Sequence, residues 1–414
     1  MNSSKGLWLA SVAAISLIAA TGAQAGGFIN QSQSTVFNGM GYAGYAAPGS
    51  SPSTMFLNPA TMTEFRRFTT ENNFSGVMPT TKITGTGALG SAPSGDIGQD
   101  ALVPASYFIM PLNESLSVGL SINSPFGLTT KPDLPWGGQT NSTTTKARTY
   151  TFTPSIAYRV SDTLSFGLGV QVQYFSAKFL SGGVPNPVVD RAGFEGNGWG
   201  YGITAGLTWK PMAGTAIGIG YRSRINQEIE GNYVTTGTLA GLNGSAISGT
   251  LKLPDRLNVS LRQTVTPDVD ILASVEWHNW SRIKEAAFSG PLVAAAPSPL
   301  QAARFNYDDA WFFALGTEYK WSKDLTVRGG IAYELSPVTT EVRSTRLPDN
   351  NRLWLSTGAS YQLTERFTMN ASYSRVFVKD ANINISVGAG SSTAYAGQSK
   401  AHVDILSLGL MTRW

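Results

Sequence analysis

Side chains that could carry out catalysis or hold a metal ion are scarce in this sequence. The 414 residues include no cysteine and only two histidines, so thiolate nucleophiles and thiolate metal sites are excluded. A hydrolytic triad needs a histidine beside a nucleophile and an acid. His278 lies between two tryptophans and His402 opens the last predicted strand, so we interpret them as interface and strand-end residues. The sequence therefore predicts no enzyme, no catalytic residue, no metal site and no cofactor.

The charged residues are scattered rather than grouped. The chain has 30 Lys and Arg against 26 Asp and Glu, a formal net charge of +4, without any basic run. Nucleic-acid binding leaves a clustered basic footprint, so no nucleic-acid partner is predicted. Charged residues make up 14% of the chain, aromatic residues 11%, and glycine occurs 45 times. That composition is unusual for a soluble exported enzyme.

The first 25 residues have the layout of a secretory signal peptide. Lys5 supplies a positive start, residues 7–20 form an apolar run, and Ala23-Gln24-Ala25 is an A-x-A cleavage site. We therefore expect residues 1–25 to be removed. No later segment approaches about 18 consecutive apolar residues, the length that a transmembrane helix requires, so a helical membrane protein is excluded.

From Arg66 onward, apolar and polar residues alternate with a period of two, which is typical of β-strands. Between residues 164 and 174, for example, Leu, Phe, Val and Tyr share one face, while Ser, Gly and Gln share the other. Alternation alone does not distinguish a sandwich with one wet face from a membrane barrel. Fourteen strands are predicted, near residues 66–77, 101–110, 115–124, 148–160, 163–176, 198–210, 214–225, 250–265, 268–281, 309–321, 323–335, 349–361, 364–378 and 400–414.

The lengths of the connections decide between these two folds. Short connections such as Ser161-Asp162 alternate with long ones such as 125–147 and 177–197. Short periplasmic turns alternating with long outer loops, over an even number of strands, are typical of outer-membrane barrels. The sequence therefore predicts an all-β fold, a 14-stranded antiparallel transmembrane β-barrel over residues 66–414, in the outer membrane of a Gram-negative bacterium.

Residues 26–65, ahead of the first strand, have no hydrophobic period of their own. They are rich in Gly, Ser and Ala, and such a segment buries too little apolar surface to fold alone in water. Asn58-Pro59 fixes a turn shortly before the first strand. Two interpretations stay open here: an N-terminal hatch (plug) that becomes ordered inside the barrel lumen, or a floppy exported tail.

Several motifs resemble those of the FadL-type outer-membrane transporters of long-chain fatty acids and hydrocarbons. The resemblance covers essentially the whole mature chain with compatible spacing. That family implies a monomeric fourteen-stranded barrel, an N-terminal hatch, and a kinked third strand that opens the wall sideways to the membrane. The motifs are Gly27-Phe28, Ser32, Gly41-Tyr42-Ala43-Gly44, Asn58-Pro59-Ala60, Ser124-Pro-Phe-Gly127-Leu128, Trp199-Gly-Tyr-Gly202, Tyr221-Arg222-Ser223, Leu253-Pro254, Pro348-Asp349 and Arg352-Leu-Trp354-Leu355-Ser356.

The resemblance also suggests which residues open and close the barrel. Because proline cannot donate to a ladder and glycine permits unusual backbone angles, regular strand pairing should fail near Pro125 and Gly127. The alternative is that the third strand simply ends there before a long loop. By resemblance, the hatch and gating residues are Gly27, Phe28, Asn58, Pro59 and Ala60, and the lateral opening is formed by Pro125, Phe126 and Gly127.

The sequence departs from the family where a carboxylate would bind. Fatty-acid members carry basic residues just beyond strand five and just before strand ten. Here those places hold Ser181 and Asp308, and Lys178 is the nearest cation to the first. Carboxylate binding favours a fixed cation. Another lumen cation such as Arg222 or Arg352 could take this role, although several should form ordinary lumen salt bridges, so neutral hydrocarbons stay open as substrates.

The sequence thus predicts passive, ligand-gated uptake of a hydrophobic small molecule, delivered to outer-membrane lipid through the third-strand opening. Long-chain fatty acids are the first expectation, and neutral or aromatic hydrocarbons are the alternative. A general diffusion porin is the alternative from another class. The residues expected to bind substrate are Phe126, Leu128, Lys178, Phe179, Phe312, Arg352 and Trp354.

Overall fold

The computed structural model describes residues 27–182, 186, 190–290, 302–385 and 394–414, so the predicted signal peptide lies outside the described residues. The alternating sequence forms twenty β-segments: β1 (Thr69–Gly87), β2 (Ala101–Pro111), β3 (Leu116–Asn123), β4 (Gly127–Thr130), β5 (Thr144–Ser161), β6 (Leu164–Gly182), β7 (Arg191–Met212), β8 (Thr215–Arg222), β9 (Ile225–Thr236), β10 (Ala246–Leu253), β11 (Arg256–Thr266), β12 (Val269–His278), β13 (Glu285–Ser289), β14 (Ala302–Arg304), β15 (Ala310–Lys320), β16 (Leu325–Leu335), β17 (Arg352–Gln362), β18 (Phe367–Val378), β19 (Ala381–Ile385) and β20 (Tyr395–Arg413).

The ladder of these segments is antiparallel and closes on itself. β20 pairs with β1 from Thr69↔Arg413 to Gly87↔Tyr395, and with β18 along its other edge. Six barrel strands are interrupted, so the segments make a closed barrel of 14 strands, which confirms the predicted fold class. The interrupted strands are β3–β4, β8–β9, β10–β11, β12–β13, β14–β15 and β18–β19.

The barrel wall is apolar on its outside and polar on its inside. In β6, Phe166, Leu168 and Val170 are 45%, 60% and 50% exposed, whereas Ser165 and Gln171 are buried. Exposed aliphatic side chains are unfavourable in water but suit the hydrocarbon of a bilayer. The apolar residues of the alternating pattern therefore face lipid, and the polar residues face the lumen.

The strands extend further outward than the sequence predicted. The predicted loop 177–197 is largely strand, because β6 and β7 continue into it from both sides. The predicted loop 226–249 contains most of β9 and the first half of β10. A paired ladder satisfies backbone groups in water as well as in lipid, so it continues where the hydrophobic alternation has stopped. Lys178 and Phe179 consequently lie in β6 and not in a loop.

The segment before β1 fills the lumen, and we call residues 27–65 the hatch. Residues 27–48 and 51–63 are all buried. No helix in the described ranges is long and apolar enough to cross a membrane. The hatch contains the short helix α1 (Thr35–Asn38) and two 3-10 helices, Pro52–Phe56 and Pro59–Glu64; further 3-10 turns are Gly237–Leu242 and Trp280–Arg282.

Candidate functional site in the hatch and the barrel wall

The hatch is fastened to the wall through Asn58-Pro59-Ala60, which we call the hatch anchor. Asn58 Oδ1 caps a 3-10 helix by accepting from Ala60 N at 3.0 Å, and Pro59 takes the first helical position. Both residue types are favoured there, because asparagine satisfies a free N–H and proline lacks one. Asn58 Nδ2 donates to Ala46 O at 2.7 Å in the hatch and to Leu207 O at 2.9 Å in β7. One buried side chain therefore shapes the turn and joins it to the barrel.

Glycines in the wall allow the hatch anchor to approach. A Cβ at Gly206 in β7 would lie 1.9 Å from Asn58 Oδ1, and a Cβ at Gly167 in β6 would lie 2.4 Å from Ala60 N. Any larger residue would therefore push the hatch away. The sequence shows these glycines on the lumen face of their strands, but not that they meet Asn58 and Ala60.

The opposite end of the hatch, residues 27–30, we call the hatch start. Gly27 has a φ of +68°, and its N–H donates to Asp349 Oδ2 at 3.0 Å. A Cβ on Gly27 would lie 2.7 Å from the Trp280 ring, so glycine is required by both backbone angle and space. Phe28 packs edge-on against Trp280 with ring centroids 4.8 Å apart. The sequence analysis did not identify Trp280, because no predicted site residue lies within ten positions of it along the chain.

The hydrogen-bond ladder of the wall is interrupted at residues 124–127. The ladder between β2 and β3 stops at Ser106↔Ile122, so residues 101–105 of β2 pair with β1 but with no described part of the third strand. β4, which begins at Gly127, continues the third strand and pairs with β5. The third strand therefore does not end at this point; it bends and leaves one edge without a neighbouring strand.

The hatch start occupies this edge. Asn30 N donates to Pro125 O at 2.8 Å, and Gly127 N donates to Phe28 O at 2.9 Å. These two bonds make an antiparallel β-bridge centred on Ile29. The hatch start thus provides residues 125–127 with backbone hydrogen-bond partners, as β2 does for the earlier part of the third strand.

The predicted lumen residues Phe312 and Trp354 lie against the middle of the hatch. Their ring centroids are 5.9 Å apart, and they pack edge-on against Tyr42 at 6.3 and 5.9 Å. Trp354 Nε1 also donates to Glu334 Oε2 at 3.2 Å. The structure therefore brings Phe312 and Trp354 together, and it places Tyr42 of the hatch against them.

Both predicted substrate-binding cations already face a carboxylate. Lys178 Nζ lies 2.8 Å from Glu195 Oε2, and both side chains are substantially exposed, so the pair is weak. Arg352 is 1% exposed, and its Nη2 lies 2.5 Å from Asp349 Oδ1. Asp349 also accepts from Gly27, so it links Arg352 to the hatch start. The charge of each cation is therefore already compensated by a carboxylate, which weakens its attraction for a ligand carboxylate.

Leu128 and Phe179 lie on the outer side of the bend. Leu128 is buried, and Phe179 packs partly buried against the same apolar cluster. The Phe179 ring also contacts Phe194 at 5.2 Å and the Arg346 guanidinium at 5.9 Å. Arg346 Nη1 donates to Leu180 O at 3.0 Å, and desolvation lowers the pKa of Arg346 to about 10. Arg346 therefore stays charged at neutral pH, and sequence reasoning missed it because it lies in a loop far along the chain.

The whole chain is similar to known outer-membrane proteins. Residues 16–414 match the profile of the family described as "Outer membrane protein transport protein (OMPP1/FadL/TodX)". The chain is 29% identical over 426 residues to the long-chain fatty acid transport protein of Escherichia coli O6:H1, with 94% of both chains covered.

Solved structures share the fold. A FadL homologue from Pseudomonas aeruginosa has a TM-score of 0.85 at 23% identity and covers 94% of this chain and 100% of its own. The toluene transporter TodX of Pseudomonas putida has a TM-score of 0.71 at 16% identity and covers 91% of this chain and 97% of its own. The resemblance in the sequence, the closed barrel and the family profile agree over nearly the full length. The chain therefore belongs to the OMPP1/FadL/TodX family of outer-membrane transport proteins.

Proposed function

We propose that this protein takes up hydrophobic small molecules, with long-chain fatty acids as the main class, passively and without chemistry. The observation that carries the proposal is the β-bridge between the hatch start and the unpaired edge of the third strand. Because the same residues close the lumen and cover the gap in the wall, movement of the hatch start opens a route from lumen to lipid. The curated relative's name, long-chain fatty acid transport protein, supports the substrate class.

Uptake begins at the outer side of the bend. The partly exposed side chains of Phe126 and Phe179 offer an apolar surface to a ligand arriving from outside, and the buried Leu128 belongs to the same apolar cluster. The ligand then passes inward beside Phe28, and leaves between residues 101–105 and the third strand into outer-membrane lipid. Within the described residues the wall closes on itself through β1 and β20, and the unit that we propose to act is a monomer.

The free-energy cost of releasing the hatch start and the gain from burying part of the ligand are of similar size. A net backbone hydrogen bond is worth about 0.5–1.5 kcal/mol, so releasing the two-bond bridge costs roughly 1–3 kcal/mol. Burying apolar carbon gains about 0.8 kcal/mol per CH₂, so roughly two to four buried methylenes offset that release. A long alkyl chain exceeds this number and needs no external energy source.

A reversible tether tests the gate. The two bridge bonds flank Ile29 and Phe126, which makes them a non-hydrogen-bonded pair with Cα atoms about 4.5 Å apart, within disulfide range. The chain has no cysteine, so Ile29→Cys with Phe126→Cys introduces a single disulfide. We expect the oxidised protein to lose oleate uptake in cells that lack their own transporter, and the reduced protein to regain it.

The matched control is a tether within the wall. Ser75 in β1 and Ser407 in β20 have side-chain oxygens 2.7 Å apart, and the same double change to cysteine there cross-links two wall strands without tethering the hatch, from which Ser407 Oγ accepts one long bond, at 3.4 Å from Asn38 Nδ2. Oxidation of this control should not alter uptake. Equal uptake by the oxidised and reduced forms of the bridge variant would rule out the gate.

A second candidate is uptake of neutral or aromatic hydrocarbons. It is favoured by the ion pairs of Lys178 and Arg352, because both predicted cations already have their charge compensated by a carboxylate of the protein. Uptake of labelled oleate and labelled toluene at matched low concentrations separates the two substrate classes. Open-channel conductance with uptake of neither would instead favour a general diffusion porin.

A further inference from the structure

A small cavity lies between the hatch start, the bend of the third strand and the wall strands on the opposite side. Its volume is about 20 Å³, which is about the room that one water-sized group requires. It is lined by apolar side chains and by two arginines, together with Gln171 and Ser223. The lining residues that matter are Ile29, Phe126, Arg222, Ile225, Leu253 and Arg256.

Arg222 in this cavity is a buried cation without a carboxylate. It is 5% exposed; its Nη1 donates to Phe56 O at 2.7 Å, and its guanidinium lies 4.4 Å from the centre of the Phe56 ring. Its Nη2 is buried and has no partner. The nearest other guanidinium, Arg256, lies over the same ring at 5.5 Å and adds like charge. Burying an unpaired charge is costly, and the stacking on Phe56 offsets a part of that cost.

Three other buried arginines of the barrel and its outer loops differ from Arg222 in this respect, whereas Arg343, buried in an outer loop, donates to the backbone oxygens of Asp349, Asn382 and Val338. Each of the three contacts an acidic side chain at 2.8 Å or less: Arg256 with Glu276, Arg328 with Glu318 and Arg352 with Asp349. Within the described residues, no carboxylate lies within ion-pair distance of Arg222. Its charge is therefore available to a ligand.

Arg222 also lies at the level of the bend. β3 and β8 are both eight residues long, both begin at short turns, and they end at Asn123 and Arg222. The two ends are therefore about equally far from the short-turn side of the barrel. Phe126, which follows the end of β3 by three residues, lines the same cavity as Arg222.

We propose that Arg222 binds the carboxylate of a fatty acid through its Nε and Nη2 edge, a proposal that rests on the proposed uptake function. A guanidinium edge matches a carboxylate in a bidentate geometry, and the incoming charge compensates the buried cation. The alkyl chain then lies against Ile29 and Phe126. Because the cavity holds about one water-sized group, the head group enters only when one of these two side chains moves, and they are the bridge pair of the gate.

The test compares two ligands that differ only in the head group. Oleate and oleyl alcohol are titrated into the purified full-length barrel, and their Kd values are compared for the wild type, Arg222→Met and Arg222→Gln. We expect the wild type to prefer oleate by at least about tenfold, and both variants to lose this preference while binding oleyl alcohol within about twofold of the wild type. Arg222→Gln removes the positive charge but retains a donor for Phe56 O. It therefore separates the effect of the charge from the effect of the contact with the hatch.

Arg375→Met is the control variant, because Arg375 is ion-paired with Asp404 and does not line the cavity. It should keep the preference for oleate. An unchanged preference in both Arg222 variants, or an equal weakening of both ligands, would overturn the role of Arg222 but leave fatty-acid uptake standing. Failure of the wild type to bind either ligand would overturn both.

Discussion

The two ends of the hatch meet the wall in different ways. The hatch anchor rests on regular, fully paired strands, where Gly167 and Gly206 leave room for it. The hatch start rests on an edge that has no neighbouring strand and replaces that strand with two hydrogen bonds. If the hatch anchor separated from the wall, the buried side-chain amide of Asn58 would lose its hydrogen-bond partners. If the hatch start separated from the wall, the edge of the third strand would be exposed to lipid or ligand. We therefore expect the anchor to determine stability and the start to determine transport.

Deleting residues 26–35 should give the largest effect, because it removes the hatch start and leaves the anchor. We expect the barrel to assemble while selectivity between oleate and toluene is lost. Uptake of both labelled compounds by cells that express the deletion measures this. Normal selectivity in the deletion would contradict a gating role for the hatch start.

A methyl group at Gly206 should displace the anchor. Gly206→Ala places a carbon 1.9 Å from Asn58 Oδ1, and overpacking of this kind costs about 1–3 kcal/mol. We expect a lower Tm and faster proteolysis within the hatch. Gly329→Ala is the matched control, since its Cβ would meet no atom within 4 Å; a similar loss in both variants would show that the anchor contact is unimportant.

The smallest expected difference is between two variants that carry the same chemical change at opposite ends of the hatch. Asn58→Ala removes bonds to Ala46 O and Leu207 O and one from Ala60 N. Asn30→Ala removes a bond to Ser124 O at 2.9 Å and one from Ser32 N at 3.0 Å. Each lost bond costs about 1 kcal/mol. We expect Asn58→Ala to lower the Tm more, and Asn30→Ala to change oleate uptake more. The reverse order in either measurement would remove the distinction between the two ends.

Much of the wall was predictable because lipid and lumen impose a strict period of two on each strand. The composition of Pro125-Phe126-Gly127 likewise indicates failed pairing, and the ladder does stop there. The outward extension of β6, β7, β9 and β10 was not predictable from hydrophobicity. Beyond the membrane both faces of a hairpin are wet, so the pairing leaves no alternating pattern in the sequence.

The charges of the lumen were the least predictable part of the site. Lys178 meets Glu195 and Arg352 meets Asp349 because of strand register and loop shape, neither of which residue types reveal. Arg222 looked like any other lumen cation, and its isolation from carboxylates appears only when strands are placed side by side. Local motifs thus indicate where the chain bends, whereas ion pairs depend on which segments become neighbours.

The long ladder between β1 and β20 has a consequence for biogenesis. It joins the two ends of the barrel sequence, from Thr69↔Arg413 to Gly87↔Tyr395, so this seam cannot form until the ribosome has completed nearly the whole chain. The hatch is synthesised first and has too little apolar surface to fold alone. We therefore expect the hatch to reach the outer membrane unfolded and to fold when the seam between β1 and β20 encloses it.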